Sequence, residues 1–378
     1  MRPAANHRYL CVALACASAL IAAGTCLRAQ ATNPAGFPTP QAAQPPSSLP
    51  GAPTPQSNTP GQSSSGSQTP LPPTGAPSIN VPPPPDTTEG RGGAIKSTVE
   101  MVVLHVSVSD DHGQAVDNLS GKNFRVFEDK VEQKVSLFSH DDIPLTMGLV
   151  VDNSGSMREK RAQVSAAALT FVKTSNPQDE AFVVNFNDEY YLDTDGDFTN
   201  DQQNLQDALA RIDSRGSTAL YDAVIGSLAH LKKGHKDRRV LLVITDGDDT
   251  ASRNSFTDAI KAAEKSNATI YAIGVFSQDD RKNDKKMIRN SSRVLEQLAE
   301  ATGGQAYFPE TLDEVTPLCE QVAKEIRDQY TVGYYPSNTA MDGTFRAVKV
   351  DVAASGHGKV TARTRTGYYA QSAPASGN

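Results

Sequence analysis

Cysteine is scarce in this chain of 378 residues: there are four, and Cys11, Cys16 and Cys26 all fall near the N-terminus. That region reads as an export signal, with Arg2, His7 and Arg8 ahead of an apolar stretch from Tyr9 to Gly24 and a small residue, Ala29, suited to cleavage before Gln30. The apolar part is roughly 16 residues, short of the about 20 that span a bilayer, which disfavours the alternative of an uncleaved anchor. The residues before Cys26 lack the leading Leu of a lipoprotein box. Cleavage after Ala29 leaves Cys319 alone, so no intrachain disulfide can form and no transmembrane span is expected in the mature chain. An exported protein of this kind must be held together by its core or by a metal. Cys319 sits in the row Leu312, Val315, Cys319, Val322, Ile326, spaced as one face of a helix, and reads as a small buried apolar residue.

Charge is the second absence. From Ala31 to Pro85 there is no Asp, Glu, Lys or Arg, and seventeen of the 24 prolines fall there. Such a segment buries too little apolar surface to offset its ordering entropy, so residues 30–94 are expected to be a disordered tether between the signal at 1–29 and the folded part. The net charge of −7 is modest and mixed, without a basic stripe interleaved with aromatics, which excludes nucleic acid as the expected partner. The seven histidines (His7, His105, His112, His140, His230, His235 and His357) show no metal-ligand spacing, and there is no G-x-S-x-G or phosphate-cradling glycine loop.

What is present after residue 95 is a strand and helix alternation between two β-rich flanks. In the N-terminal flank, 95–142, Val102, Leu104, Val106 and Val108 alternate with Val103, His105, Ser107 and Ser109, and "NFRVFED" with "KVSLFSH" reads as a strand pair. The C-terminal flank, 327–370, offers three runs, "DQYTVGYYP", "TFRAVKVDVA" and "GKVTARTRTGYYA", before a disordered tail at 371–378. Neither flank has strands enough to stand alone, so they are expected to meet as one small β domain. The middle, 143–326, alternates apolar strand runs with helical segments at Lys160–Thr174, Asp201–Ile212, Ala219–Lys232, Ser255–Lys265, Val294–Ala301 and Thr311–Ile326. This predicts an α/β fold with a doubly wound, mostly parallel sheet, whose ligands bind at the carboxyl ends of the strands. The charged stretch Ser277–Ser292 reads as a mobile solvated loop on that rim.

Two runs end on oxygen-bearing side chains. "GLVVDNSGSM" carries Asp152, Ser154 and Ser156 as D-x-S-x-S, "RRVLLVITD" ends on Asp246, and Thr218 opens a helix in "RGSTALYDA". In a doubly wound sheet these loops converge, gathering two carboxylates and three hydroxyls. Hard oxygen donors without Cys or His suit Mg²⁺ or Mn²⁺, with Gly155 giving a tight turn beside the ion. The plainer alternative is that the serines cap the following helix. Asn153, Gly155, Ser217, Asp222, Gly247 and Asp248 are the neighbouring candidates for a supporting or rim role.

On these residues the chain resembles the von Willebrand factor type A domain with its metal-ion-dependent adhesion site. The resemblance implies that Asp152, Ser154, Ser156, Thr218 and Asp246 hold one divalent cation, Mg²⁺ with Mn²⁺ or Ca²⁺ as alternatives, whose shell a partner's Asp or Glu completes. Across roughly 95–370, "FRVFEDKVEQKVSLFS", "DIPLTMGLVVDNSGSM" and "YTVGYYPSN" are similar to an exported bacterial group with this domain, frequent in Acidobacteria.

Two other motifs are rejected. "DGDDT", Asp246–Thr250, fits a phosphatase nucleophile motif but follows a late strand, and "DTDGDFTND", Asp193–Asp201, lacks the Gly that a calcium loop needs at its sixth position. The expected function is therefore an exported, non-enzymatic binding or adhesion module of the secreted or periplasmic envelope space. The alternatives are a hydrolase using the same cation as a Lewis acid and an envelope assembly subunit with a structural metal.

Overall fold

The computed structural model describes residues 100–174, 176–211, 214–354, 356 and 358–372. The signal segment and the charge-free tether lie outside the described residues, as do 373–378. Among the described residues no helix is long and apolar enough to cross a membrane.

In chain order the strands and helices are β1 (Val102–Ser109), β2 (Phe124–Glu128), β3 (Val131–Gln133), β4 (Val135–Ser139), β5 (Leu145–Asp152), α1 (Arg161–Lys173), β6 (Glu180–Phe186), β7 (Tyr190–Leu192), α2 (Gln202–Ala210), α3 (Leu220–Leu231) and β8 (Arg238–Thr245). There follow α4 (Phe256–Glu264), β9 (Ala268–Gly274), α5 (Gln278–Asn283), α6 (Lys285–Thr302), β10 (Ala306–Tyr307), α7 (Val315–Arg327), β11 (Tyr330–Tyr334), β12 (Phe345–Val352), β13 (Thr361–Arg363) and β14 (Gly367–Tyr369).

The middle is the expected α/β unit. Its sheet has the order β10-β9-β8-β5-β6-β7, parallel throughout except for the edge strand β7. Every residue of β5 and of β9 is buried, which is why these runs are apolar without alternation: helices cover both faces. On one face Leu145, Met147, Leu149 and Val151 of β5 pack with α1, α2 and α7; on the other Val150, Phe182 and Leu241 pack with α3, α4 and α6. At Gly148 a Cβ would lie 2.5 Å from the Phe182 ring and 2.6 Å from Leu241, so the second core closes directly over the bare backbone. From β5 the chain runs to β6 on one side, whereas β8 lies on the other. The strand order thus reverses between β5 and β8, and their carboxyl ends border the crevice where such sheets bind ligands.

The flanks build two four-stranded sheets, β13-β1-β11-β4 and β14-β12-β2-β3. β1 runs antiparallel to β11, from Val102 opposite Tyr334 to Val106 opposite Tyr330. Side chains of both sheets, among them Leu104, Val106, Phe124, Val126, Val332 and Val350, share one core.

Several details differ from the sequence reading. "NFRVFED" and "KVSLFSH" do not pair: β2 pairs with β3 and β12, and after Lys134 the chain crosses to the other sheet, where β4 pairs with β11. The last C-terminal run is likewise two strands in different sheets, β13 beside β1 and β14 beside β12. Gln371 and Ser372 are not a free tail, since Gly343 N–H donates to Gln371 O and Ser372 bridges Asp342. Nor is Ser277–Ser292 a loop. Ser277 Oγ accepts from Asp280 N to start α5, and Asp284 Oδ1 accepts from Met287 N to start α6. The first turns of α6 expose charged residues, and its buried row begins only at Ser291, so apolar periodicity gave no signal there.

Candidate metal centre

Asp152 ends β5 and is 1% exposed. Its Oδ1 accepts from Ser154 N at 2.8 Å and its Oδ2 from Thr245 Oγ1 at 2.6 Å. Thr245 Oγ1 in turn accepts from Gly247 N at 2.9 Å, so one buried hydroxyl links the loops that follow β5 and β8. Burial, and then the neighbouring Asp246, push the Asp152 carboxyl up to about 7 against the pull of these hydrogen bonds. Asp246 is 5% exposed, and its Oδ2 stands 3.6 Å from Lys160 Nζ.

The serine hydroxyls are not spent on capping. Ser154 precedes the 3-10 turn Gly155–Met157 without a side-chain cap bond, and the residue preceding α1 is Lys160. Ser154 Oγ instead lies 3.0 Å from Ser156 Oγ, the former buried and the latter exposed.

Backbone bonds tie the Thr218 loop to this turn. Arg215 N donates to Asn153 O at 3.0 Å and Gly155 N to Gly216 O at 3.1 Å. Ser217 N donates to Asp188 Oδ1, and Thr218 N to Thr250 Oγ1, while Thr218 O accepts from Thr250 N and Ala251 N. Gly216 has φ +74°, which favours glycine by conformation, and a Cβ there would fall 2.2 Å from Oδ2 of the exposed Asp188 side chain, which would have to shift. Gly155 is not: it has no positive φ, and a Cβ would meet only Gly216 O at an ordinary 3.5 Å, so the tight turn expected of it does not depend on glycine.

Asn153 donates to Asn185 Oδ1 and Val151 O and braces the loop from beneath. Gly247, at φ +79°, turns the chain out of Asp246. Asp222 accepts from Arg253 N, Asn254 N and Asn254 Nδ2, so its carboxylate holds the 253–254 loop and does not turn to the site. Asp248 is exposed on the rim, its carboxyl raised by partial burial and then by Asp246, Asp249 and Asp284. Thr250, in the rejected phosphatase motif, is engaged by Thr218 N. In the calcium-like stretch Asp193 pairs with Asn185 and Asp195 with Arg211, so these side chains take different partners.

Among the described residues no three His, Cys, Asp or Glu side chains cluster to hold a metal. The set here is two carboxylates and three hydroxyls, all hard oxygens. Two buried carboxylates on adjacent strand ends, one with its proton affinity raised by the other, form a donor set that fits a small divalent cation. Sequence reading missed Thr245 and Lys160, which sit beside the motif without belonging to it; Lys160, eight positions after Asp152, carries no spacing signal of its own.

Residues 147–248, within the α/β unit, match the family model of the von Willebrand factor type A domain. No curated protein matches the chain. Solved structures similar to it include a von Willebrand factor type A protein from Catenulispora acidiphila, at 11% identity over 73% of this chain and 76% of that one, with a TM-score of 0.43. The vWF domain of the type V pili tip protein Mfa5 from Porphyromonas gingivalis matches at 11% identity over 49% of this chain and 95% of that one, with a TM-score of 0.40. The protein BatB from Bacteroides thetaiotaomicron matches at 17% identity over 48% and 98%, with a TM-score of 0.39.

Proposed function

We propose that this chain is an exported binding module that grips a protein or matrix partner through a divalent cation, Mg²⁺ before Mn²⁺ or Ca²⁺, bridging to an Asp or Glu of the partner. The observation that carries this reading is Asp152, buried at the crevice beside Asp246 and raised to about 7. These two carboxylates share one buried ammonium, that of Lys160 beside Asp246, which leaves one negative charge for an added cation to offset. Asp152, Ser154, Ser156, Thr218 and Asp246 would hold the ion. The cation, when bound, supplies a positive attachment point for a carboxylate. Gly155 and Ser156 are exposed, which leaves that side of the turn open to a partner. Thr245 and Ser154 N keep the Asp152 carboxylate oriented, and the 216–218 and 247–250 loops hold the rim in place.

The test is capture of partners from envelope extract by the tagged chain, in Mg²⁺ against chelator, with wild type and Asp152→Ala, alongside melting curves. We expect Mg²⁺ to raise the melting temperature and to support capture, and both effects to vanish in Asp152→Ala. Capture that survives chelation and the substitution would sink the metal bridge. A melting shift without metal-dependent capture would move the reading to a structural metal, and metal-dependent phosphatase or esterase turnover would move it to hydrolysis.

A further inference from the structure

Lys160 stands inside the candidate metal centre. Its ammonium is 3.6 Å from Asp246 Oδ2 and donates to Val275 O at 2.8 Å, with only 7% of the side chain exposed. Val275 follows β9, and its own N–H donates to Thr245 O, so the amine is fixed across the carboxyl ends of β8 and β9. The position is unfavourable on two counts. A buried ammonium has lost its hydration. It also precedes the first residue of α1, where the helix dipole repels positive charge, and Lys160 O accepts from Val164 N as that helix opens. The opposite charge that offsets these costs is Asp246, one of the five proposed ligands.

We infer that Lys160 is a tethered competitor for the divalent ion, which neutralises Asp246 while the ion is absent and repels the ion as it binds. This rests on the reading of Asp152, Ser154, Ser156, Thr218 and Asp246 as a metal site. The two effects have the same sign. Without Lys160 the metal-free site holds two carboxylates and no cation, so the empty state is less stable; the filled state has lost a like-charge repulsion. Both changes tighten the ion. In the wild type the centre therefore fills only at high free divalent concentration and releases the ion when that falls, making attachment reversible with the surrounding medium.

The experiment is isothermal titration of MgCl₂ into the full chain, as wild type, Lys160→Gln and Lys160→Arg, with melting curves of each. Gln keeps a donor for the Val275 carbonyl and removes the charge; Arg keeps the charge. We expect Lys160→Gln to bind Mg²⁺ about tenfold more tightly or better, to melt lower without metal, and to gain more from Mg²⁺ than wild type, with Lys160→Arg within about threefold of wild type. Equal or weaker binding by folded Lys160→Gln overturns the competitor while leaving the metal site intact. Absence of binding in both wild type and Lys160→Gln overturns the metal site itself. Should Lys160→Gln fail to fold, the wild-type protein labelled with ¹⁵N-lysine decides: the Lys160 ammonium resonance shifts as Mg²⁺ saturates if the two cations share Asp246, and an unmoved resonance overturns the inference.

Discussion

Glu325, near the end of α7, and Asp152, at the end of β5, are both carboxylates held by the fold, yet their surroundings are opposite. Glu325, on α7, accepts from Ser107 Oγ, Tyr271 OH and Arg363 at one oxygen and from Tyr307 OH at the other, at 2.5–3.0 Å. Its donors come from β1 and β13 of the flank sheets and from β9 and β10 of the α/β sheet, so the charge is satisfied by the protein and fastens the two units together. Asp152 accepts from one hydroxyl and one backbone amide and faces another acid. A carboxylate saturated by its own fold has nothing left to offer a ligand, whereas Asp152 and Asp246 share the single charge of Lys160 and keep one negative charge for an added cation.

The strongest way to break this comparison is at Glu325. Replacing it with Ala leaves the half-buried Arg363 without its carboxylate and removes the acceptor of three hydroxyls, of which those of Ser107 and Tyr271 keep Gln329 Nε2, and we expect a loss of about 2–3 kcal/mol in urea unfolding. The Mg²⁺-induced stabilisation should persist; its disappearance would show that the two carboxylates are not independent.

Next in size is the pH dependence of the metal-free protein. The Asp152 carboxyl titrates at about 7 when folded and near 3.8 when unfolded, so the unfolded chain releases that proton first and stability falls as pH rises from 3.8 to 7. His105 does the reverse. Its Nδ1 is buried without a partner, and burial, then Arg238 and Arg365, hold the ring down to about 3, against 6.5 when unfolded. Stability from His105 is therefore complete above pH 6.5 and is lost as pH falls toward 3. Each slope is at most about 1.4 kcal/mol per pH unit, and they oppose each other. Asp152→Asn should unmask the rising limb and His105→Gln the falling one, read as urea midpoints against pH; Mg²⁺ should remove the falling limb from wild type.

Smaller effects sharpen the contrast. Gly216→Ala puts a Cβ at φ +74° against the Asp188 carboxylate; we expect about 1–2 kcal/mol of destabilisation and weaker Mg²⁺ binding, since that loop carries Thr218. At the satisfied end, Cys319 is buried on α7 with its thiol pushed up to about 12, and a thiol reagent should label it only after unfolding.

Much of this was legible in the chain. Buried parallel strands announce themselves as apolar runs, as in "LTMGLVVD", and five of the six helices read in the middle segment lie within a few residues of their observed ends. The D-x-S-x-S turn and Asp246 are local features of strand ends and Thr218 of a helix start, and the fold brings their loops into contact. α5 and the start of α6 escaped because an exposed helical face of Arg, Lys and Asp has no apolar period. The sheet changes at Lys134 and between β13 and β14 escaped because a strand's pattern says which face is buried but not which neighbour covers it.

The sequence by itself determined the class of the fold and the candidate oxygen donors, because both depend on short-range pattern: hydrophobic period, and side-chain chemistry where strands stop or a helix starts. Tertiary structure alone decided which charges meet. Lys160 and Asp246 are 86 positions apart, and Ser107, Glu325 and Arg363 span nearly all of the described chain. Electrostatic energy depends on distance through space and on burial, and neither is written along the chain.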